Sequence, residues 1–215
     1  IIYNTSNKKF LMIDSISKKL APTGELRVGL NMSNFLLVSS KNANGSPEGV
    51  SPDIGKKLAE ELNVICKLVQ FEKPGLLADA VSEDKWDIGN IACEKERAKS
   101  IDFSDPYVNI DANFIFRKKD KFMSNEEINS SAIKIAVLER SAYDLWLTEN
   151  FKKAELIKVN TMNDSHKLFR EGGADVLAGL KPKLIEELKL NSDFKIISNP
   201  FTYIKQSVGI KKGNP

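Results

Sequence analysis

Two segments of this 215-residue chain place charge where a small anion can be held. An apolar stretch at 87–93 reads as a strand, and Glu94-Lys95-Glu96-Arg97 follows it, so Arg97 stands just beyond a strand end. A guanidinium there can fork onto a carboxylate with parallel N–H donors; the bland alternative is a solvated surface arginine. A second apolar strand, 133–138, runs through Glu139-Arg140 into Ser141-Ala142-Tyr143-Asp144. Serine with an acid three residues on is a capping-box pattern, so Ser141 opens a helix. Open α/β sheets bind ligands at the carboxyl ends of their strands, where helix N-termini present free N–H groups and a positive dipole end. Capping its own helix would account for Ser141 equally well.

Signals for catalysis are scarce. The chain lacks a Gly-x-Ser-x-Gly elbow, a Gly-x-x-x-x-Gly-Lys phosphate loop and a Gly-x-Gly-x-x-Gly fingerprint. His166 is the one histidine and reads as a surface or boundary residue of a helix. Without a second histidine or a cysteine cluster, neither a metal site nor a cofactor is expected. Acid–base chemistry would rest on carboxylates, and no spacing selects a pair. Cys66 and Cys93 each sit in an apolar run and read as small buried hydrophobes in strands; their pairing is not readable from the sequence.

Charge and composition narrow the classes. Thirty-two basic and 29 acidic residues leave +3, too balanced for a nucleic-acid binder. The lysine pairs 8–9, 18–19, 118–119 and 211–212 are scattered. No run reaches the ~18 apolar residues of a membrane span. The first ten residues are polar, without the apolar centre of a secretory leader, so the leader of an exported protein would lie outside this numbering.

The elements that must position these groups alternate strand and helix. Residues 1–25 read as a polar entry segment with a short helix near 10–20, ended by Pro22-Thr23-Gly24. A strand at 26–30 follows, then a loop. Ser51 is the expected cap of the next helix, with Pro52 at its first position and Asp53 in its first turn. The near-continuous apolar run 64–71 reads as a buried strand. Pro74-Gly75 opens a helix over 76–84, and 87–93 is a strand. This order predicts a parallel sheet covered by helices. After a strand at 113–117 and a polar break at 118–121 the pattern restarts. Strands are expected at 133–138, 155–159, 174–180, 194–197 and 206–210, with helices at 141–151, 164–171 and 182–190. Gly172-Gly173 reads as a helix C-cap. The chain therefore holds two α/β units in series.

Several segments carry a family resemblance. Glu96-Arg97-Ala98-Lys99-Ser100-Ile101-Asp102-Phe103-Ser104-Asp105-Pro106-Tyr107 resembles the most specific stretch of the family 3 extracellular solute-binding proteins, the polar amino-acid receptors of ABC importers. Gly49 to Ile54, Trp86-Asp87-Ile88 and Ser207 to Gly213 resemble other segments of that family, in the same order. The resemblance spans 26–215 and implies a two-lobed periplasmic-binding-protein-like (type II) α/β fold, each lobe a sheet flanked by helices, with the ligand in a cleft that closes on it. Lobe 1 is expected at 26–114 plus 206–215 and lobe 2 at 115–205, after the N-terminal segment 1–25. The family's C-terminal helix is expected to be absent or outside this numbering. The resemblance further implies a periplasmic, monomeric, non-enzymatic receptor. Its partners would be a small polar solute and the membrane subunits of an importer, not nucleic acid. The alternatives are the sensor module of a membrane protein and a cyclohexadienyl-dehydratase-like enzyme on the same fold.

Carried over residue by residue, Arg97 matches the clamp for a ligand α-carboxylate. Asn31, Asn34 and Phe35 follow the first strand, where the family surrounds the ligand side chain, and Pro74 falls where a lobe 1 residue packs on the ligand. Ser141 and Ala142 match the turn that meets the carboxylate from lobe 2. Asn90 and Tyr143 complete the expected set. Three positions depart from the family. Ala92 stands for a Ser/Thr, Glu94 for a Thr, and Leu180 for the Asp that accepts the α-ammonium. An unpaired buried ammonium costs several kcal/mol. Either Glu94 therefore replaces that Asp, or the ligand lacks an ordinary α-amino group.

Overall fold

The computed structural model describes residues 2–130 and 132–214, the side chains of 2–7 excepted. Ile1 and Pro215, the ends of the expected segments, lie outside the described residues. In chain order the elements are α1 (Ile2–Leu20), β1 (Glu25–Asn31), β2 (Ser40–Lys41), β3 (Pro47–Glu48), α2 (Val50–Glu61), β4 (Ile65–Phe71), α3 (Pro74–Asp79), β5 (Ile88–Ala92) and β6 (Ile101–Phe103). They continue as β7 (Val108–Arg117), α4 (Asn125–Ile128), β8 (Lys134–Leu138), α5 (Ala142–Asn150), β9 (Glu155–Val159), α6 (Met162–Arg170), β10 (Val176–Leu180), α7 (Lys181–Leu190), β11 (Phe194–Ile196) and β12 (Thr202–Lys211). Single 3-10 turns occupy Arg97–Lys99 and Lys118–Asp120. The chain divides into two compact units, Ile1–Ile91 with Arg97–Asp105 and Ser207–Pro215, and Ala92–Glu96 with Pro106–Gln206.

In unit 1, β1 lies between β4 and β5, parallel to both. Gly209 to Lys211 of β12 pair antiparallel with β6. Leu26, Val28, Leu30, Ala59 and Ile88 form one core, with Leu58 of α2 and Leu62 just after it packed on it. The helix can approach because Gly55 has no side chain; a Cβ there would stand 2.5 Å from Val28 Cγ1. Trp86 anchors a second core with Leu77, Val81, Ile91 and Ile101, and its indole N–H donates to the Leu77 carbonyl at 2.8 Å.

In unit 2, β8 is parallel to β9 and β10, and β7 runs antiparallel to β10, β11 and residues 202–206 of β12. Ile115, Ala136, Phe169, Leu177, Leu184 and Phe194 form its core. The rings of Phe114 and Phe201 stack at 4.2 Å. Gly172, at φ 82, follows the C-terminus of α6, as the glycine pair predicts.

Four expectations are corrected. Ser51 does not cap α2: the helix begins at Val50 with Gly49 as its cap residue, and Ser51 is buried inside the first turn, its N–H donating to the Leu37 carbonyl. The reason is steric. Gly49 sits at φ 131, and a Cβ there would meet Leu37 O at 2.6 Å, so the chain turns two residues early where only glycine fits. The strand expected to be buried at 64–71 is an edge strand with alternating exposure, Ile65 outward and Cys66 and Leu68 toward the core. His166 is buried, not at the surface, because it meets Glu187 across α6 and α7. Both cysteines are half-buried and form no disulfide, and Cys93 lies beyond the end of β5. Element ends shift as well. The helix expected at 76–84 stops at Asp79, the strands at 113–117 and 206–210 each grow to ten residues, and α1 begins well before residue 10.

Candidate functional site

In unit 1 the expected residues cluster around strand ends. Asn31 closes β1 and turns the chain: its Oδ1 accepts from the Ser33 N–H at 3.1 Å and the Ser33 hydroxyl at 2.7 Å. The N–H of Asn34 donates to the Asn31 carbonyl, and the Asn34 carbonyl accepts from Leu37 and Val38, so this loop is tied by its own backbone. The Asn34 side chain is buried, and its Oδ1 finds no donor among the described residues. A buried acceptor left unmatched costs about 1–3 kcal/mol, which an N–H of a ligand or a water would recover. Phe35 is half-buried beside it. Pro74 is buried as the first residue of α3, where its fixed φ suits a helix start. Asn90 is buried within β5, in register with Leu30. Arg97 begins its 3-10 turn at 5% exposure. Burial to that degree overturns the surface-arginine reading, since arginine is almost never buried without a partner for its charge.

In unit 2, Ser141 caps α5 as expected, its hydroxyl accepting from the Asp144 N–H at 3.1 Å. The fourth residue of this start, Asp144, is the one sequence reading missed as an organiser. At 1% exposure its carboxylate accepts from the Arg140 N–H at 2.7 Å, from the Thr148 hydroxyl at 3.2 Å and from Lys158 Nζ at 2.9 Å. Arg140 sits at φ 57, so Asp144 secures a left-handed residue immediately ahead of the cap. The first-turn amides of Ala142 and Tyr143 lie beyond the reach of intrahelical carbonyls, as in any α-helix. Both residues are buried. Burial pushes the Tyr143 phenol well above its ordinary pKa, opposed by a hydrogen bond with Ser141, so the ring stays neutral. Ala92 is buried and Glu94 half-buried. Leu180, buried, ends β10 and precedes α7 without offering a side-chain cap. Beside it Lys181 pairs with Asp111 at 3.1 Å. Asp175, the acid five residues upstream of Leu180, is engaged by the Lys134 N–H at 2.8 Å.

The chemistry this offers is recognition of polar groups, with an arginine and a capped helix N-terminus as anion-binding features of separate units. Among the described residues no group of three or more His, Cys, Asp or Glu could hold a metal ion. An open depression of about 370 Å³ on unit 1, lined by Asn44, Lys56, Cys66 and Gln70 among others, contains none of the expected residues.

Residues 26–215 match the model of the bacterial extracellular solute-binding proteins, family 3, and the chain belongs to that family. The L-arginine-binding protein of Pseudomonas aeruginosa is 28% identical over 158 residues, which are 72% of this chain and 57% of that protein. The ABC transporter glutamine-binding protein of Bacillus subtilis is 23% identical over 175 residues, 80% of this chain and 64% of that protein. The chain thus matches less than two thirds of the length of each. The crystal structure of an ancestral amino-acid-binding protein, a precursor of cyclohexadienyl dehydratase, superposes with a TM-score of 0.71 at 28% identity, covering 95% of this chain and 87% of that one. The fold is the two-lobed periplasmic-binding-protein type.

Proposed function

We propose that the chain is the substrate-binding component of an ABC importer and captures an amino acid or a related small carboxylate or amine by closure. The observation that carries this reading is Arg97, nearly buried in a turn just past the end of β5 and within the stretch most like the family. Relatives named for arginine and glutamine binding support the solute class. Arg97 takes the carboxylate, and the N-terminus of α5 offers the same group a second set of donors. Glu94 takes the ammonium that Leu180 cannot, or the solute lacks an α-amino group. The protein works outside the cytoplasmic membrane as a monomer, partnered by importer membrane subunits, and performs no chemistry on its ligand.

A thermal-shift screen over amino acids, their deamino analogues and small amines tests this, since a ligand that binds the folded state raises the melting temperature. Arg97→Ala should then weaken the hit by about 2–5 kcal/mol, with Arg97→Lys recovering part. Glu94→Gln should cost more for amine-bearing ligands than for deamino analogues. Near-native affinity in Arg97→Ala would sink the assignment. The ancestral dehydratase precursor motivates one rival, an eliminating enzyme with Glu94 as its acid or base; turnover of a cyclohexadienyl substrate, lost in Glu94→Gln, would favour it.

A further inference from the structure

The turn that carries Arg97 is too short to hold itself. Arg97–Lys99 form a single 3-10 turn, and the carbonyls at the end of a helical turn find few partners within it. Here the far end of the chain takes them. The Lys212 ammonium donates to the Ala98 carbonyl at 2.6 Å, and the Lys212 N–H donates to the Ser100 carbonyl at 2.9 Å. The Arg97 carbonyl accepts from the Ser100 N–H at 3.1 Å, the one bond the turn makes for itself there. One residue on, Gly213, at φ 85, donates its N–H to Asp102 Oδ2 at 2.9 Å. A cation on the closing carbonyls of a turn is also favoured by the direction of the peptide dipoles.

Strand register delivers Lys212 to this place. Lys211 pairs with Ile101, Ile210 with Asp102 and Gly209 with Phe103 in an antiparallel ladder. β6 and β12 can close because residue 209 is glycine: a Cβ there would stand 2.5 Å from Ile101 Cγ2. All these residues belong to unit 1. Lys211 and Lys212 are both exposed, and a lysine pair by itself reads as solvated charge. The side chain of Lys212 instead reaches back to the turn. We infer that Lys212 is a positioning residue for Arg97: with Asp102 and Gly213 it staples the turn, 114 residues beyond its acceptor at Ala98. The inference rests on the reading of Arg97 as the clamp for a solute carboxylate. A group fixed before binding loses less freedom on binding, so the staple raises affinity without touching the solute.

Two measurements on the whole chain test it. Hydrogen exchange, read by mass spectrometry on peptides spanning 96–104, reports the turn itself. Calorimetry with L-arginine and L-glutamine, for which relatives are named, reports the consequence. Lys212→Met keeps a stem of similar length and removes the ammonium. It should speed exchange at the turn by about three- to tenfold and weaken the amino acid that the parent binds by a similar factor. The contact is exposed to solvent, which keeps the effect modest. Lys212→Arg should restore both, and Lys211→Met, one residue earlier and also exposed, should change neither. Melting temperature and exchange elsewhere in unit 1 should stay near those of the parent. Unchanged exchange at the turn in Lys212→Met overturns the staple, and faster exchange with unchanged affinity overturns the positioning role. A loosened turn together with near-native affinity in Arg97→Ala places the fault in the clamp reading and removes the positioning role with it. Should the parent bind neither amino acid, the exchange measurement decides for or against the staple alone.

Discussion

Among the described residues unit 2 buries four ionisable side chains, Tyr143, Asp144, His166 and Glu187, the last three able to carry charge near neutral pH, whereas unit 1 buries one, Arg97. The buried charges of unit 2 are held by neighbours within the unit. His166 Nδ1 lies 2.6 Å from Glu187 Oε1, and Arg170 Nη1 reaches the same oxygen at 2.5 Å. Asp144 binds the turn before α5, the helix itself and Lys158. Unit 1 keeps its main ion group nearer to solvent, with Arg27 Nη2 2.7 Å from Asp87 and 3.4 Å from the exposed Asp84. It packs its interior through glycine instead, at Gly29, Gly55 and Gly89 against Leu77, Val28 and Trp86. A charge buried between packed helices serves architecture. Arg97 is instead buried in a three-residue turn.

The starts of α2 and α5 show the contrast at its sharpest, and substitution there can break it. Asp144→Ala should have the largest effect, about 2–4 kcal/mol, because it strands the part-buried Arg140 N–H and removes the carboxylate partner of Lys158. Lys158 is partly exposed, and water recovers some of its charge, which keeps the figure below that of a fully enclosed pair. Urea unfolding measures it; a loss under 1 kcal/mol would mean that Asp144 organises nothing. Gly49→Ala should cost about 1–3 kcal/mol, since alanine is strained at that φ and its methyl group would strike the Leu37 carbonyl. Ser141→Ala should cost about 1 kcal/mol, the loss of one cap hydrogen bond. If Ser141→Ala proved the costlier of these two, the idea that unit 1 starts its helix by backbone shape and unit 2 by side-chain bonding would fail.

The smallest expected effect is on pH dependence, and it concerns the buried histidine. Burial lowers the proton affinity of His166, the Glu187 carboxylate opposes that by hydrogen bonding and charge, and Lys183 and Arg170 add to the lowering. An unfolded histidine titrates near 6.5. Below that pH the unfolded chain therefore binds more protons than the folded one. The stability from neutral His166 is complete above about pH 6.5 and is lost as pH falls through the lowered folded value. Urea midpoints should drop between roughly pH 7.5 and pH 5.5, and His166→Gln should flatten that drop. A steeper drop in His166→Gln would show that other groups control it.

Much of the fold was legible because its signals are local. The strand at 155–159 falls at the expected residues, and the Ser141 cap follows from a serine and an aspartate three apart. The same reasoning misplaced the start of α2. Ser51 and Asp53 are two residues apart, a spacing that cannot close the reciprocal cap, and the deciding contact comes from Leu37, twelve residues before Gly49. The expectation of a buried strand at 64–71 failed in kind rather than in position: a run of apolar letters does not say which side of a strand lacks a neighbour, and β4 is paired on one side by β1.

By itself, then, the sequence determined what depends on residues within one turn or one strand of each other: the alternation of elements, the cap at Ser141, the glycine after α6 and the Arg97 segment at a strand end. Tertiary structure decided what depends on residues far apart in the chain. Glu187 draws His166 inside from 21 residues away. Asp144 acquires Lys158 from a neighbouring strand. Asn34 is left with a buried acceptor that the described residues do not match. Each of these turns on which group fills the space beside a side chain, and in a folded chain that neighbour is chosen by packing, not by sequence order.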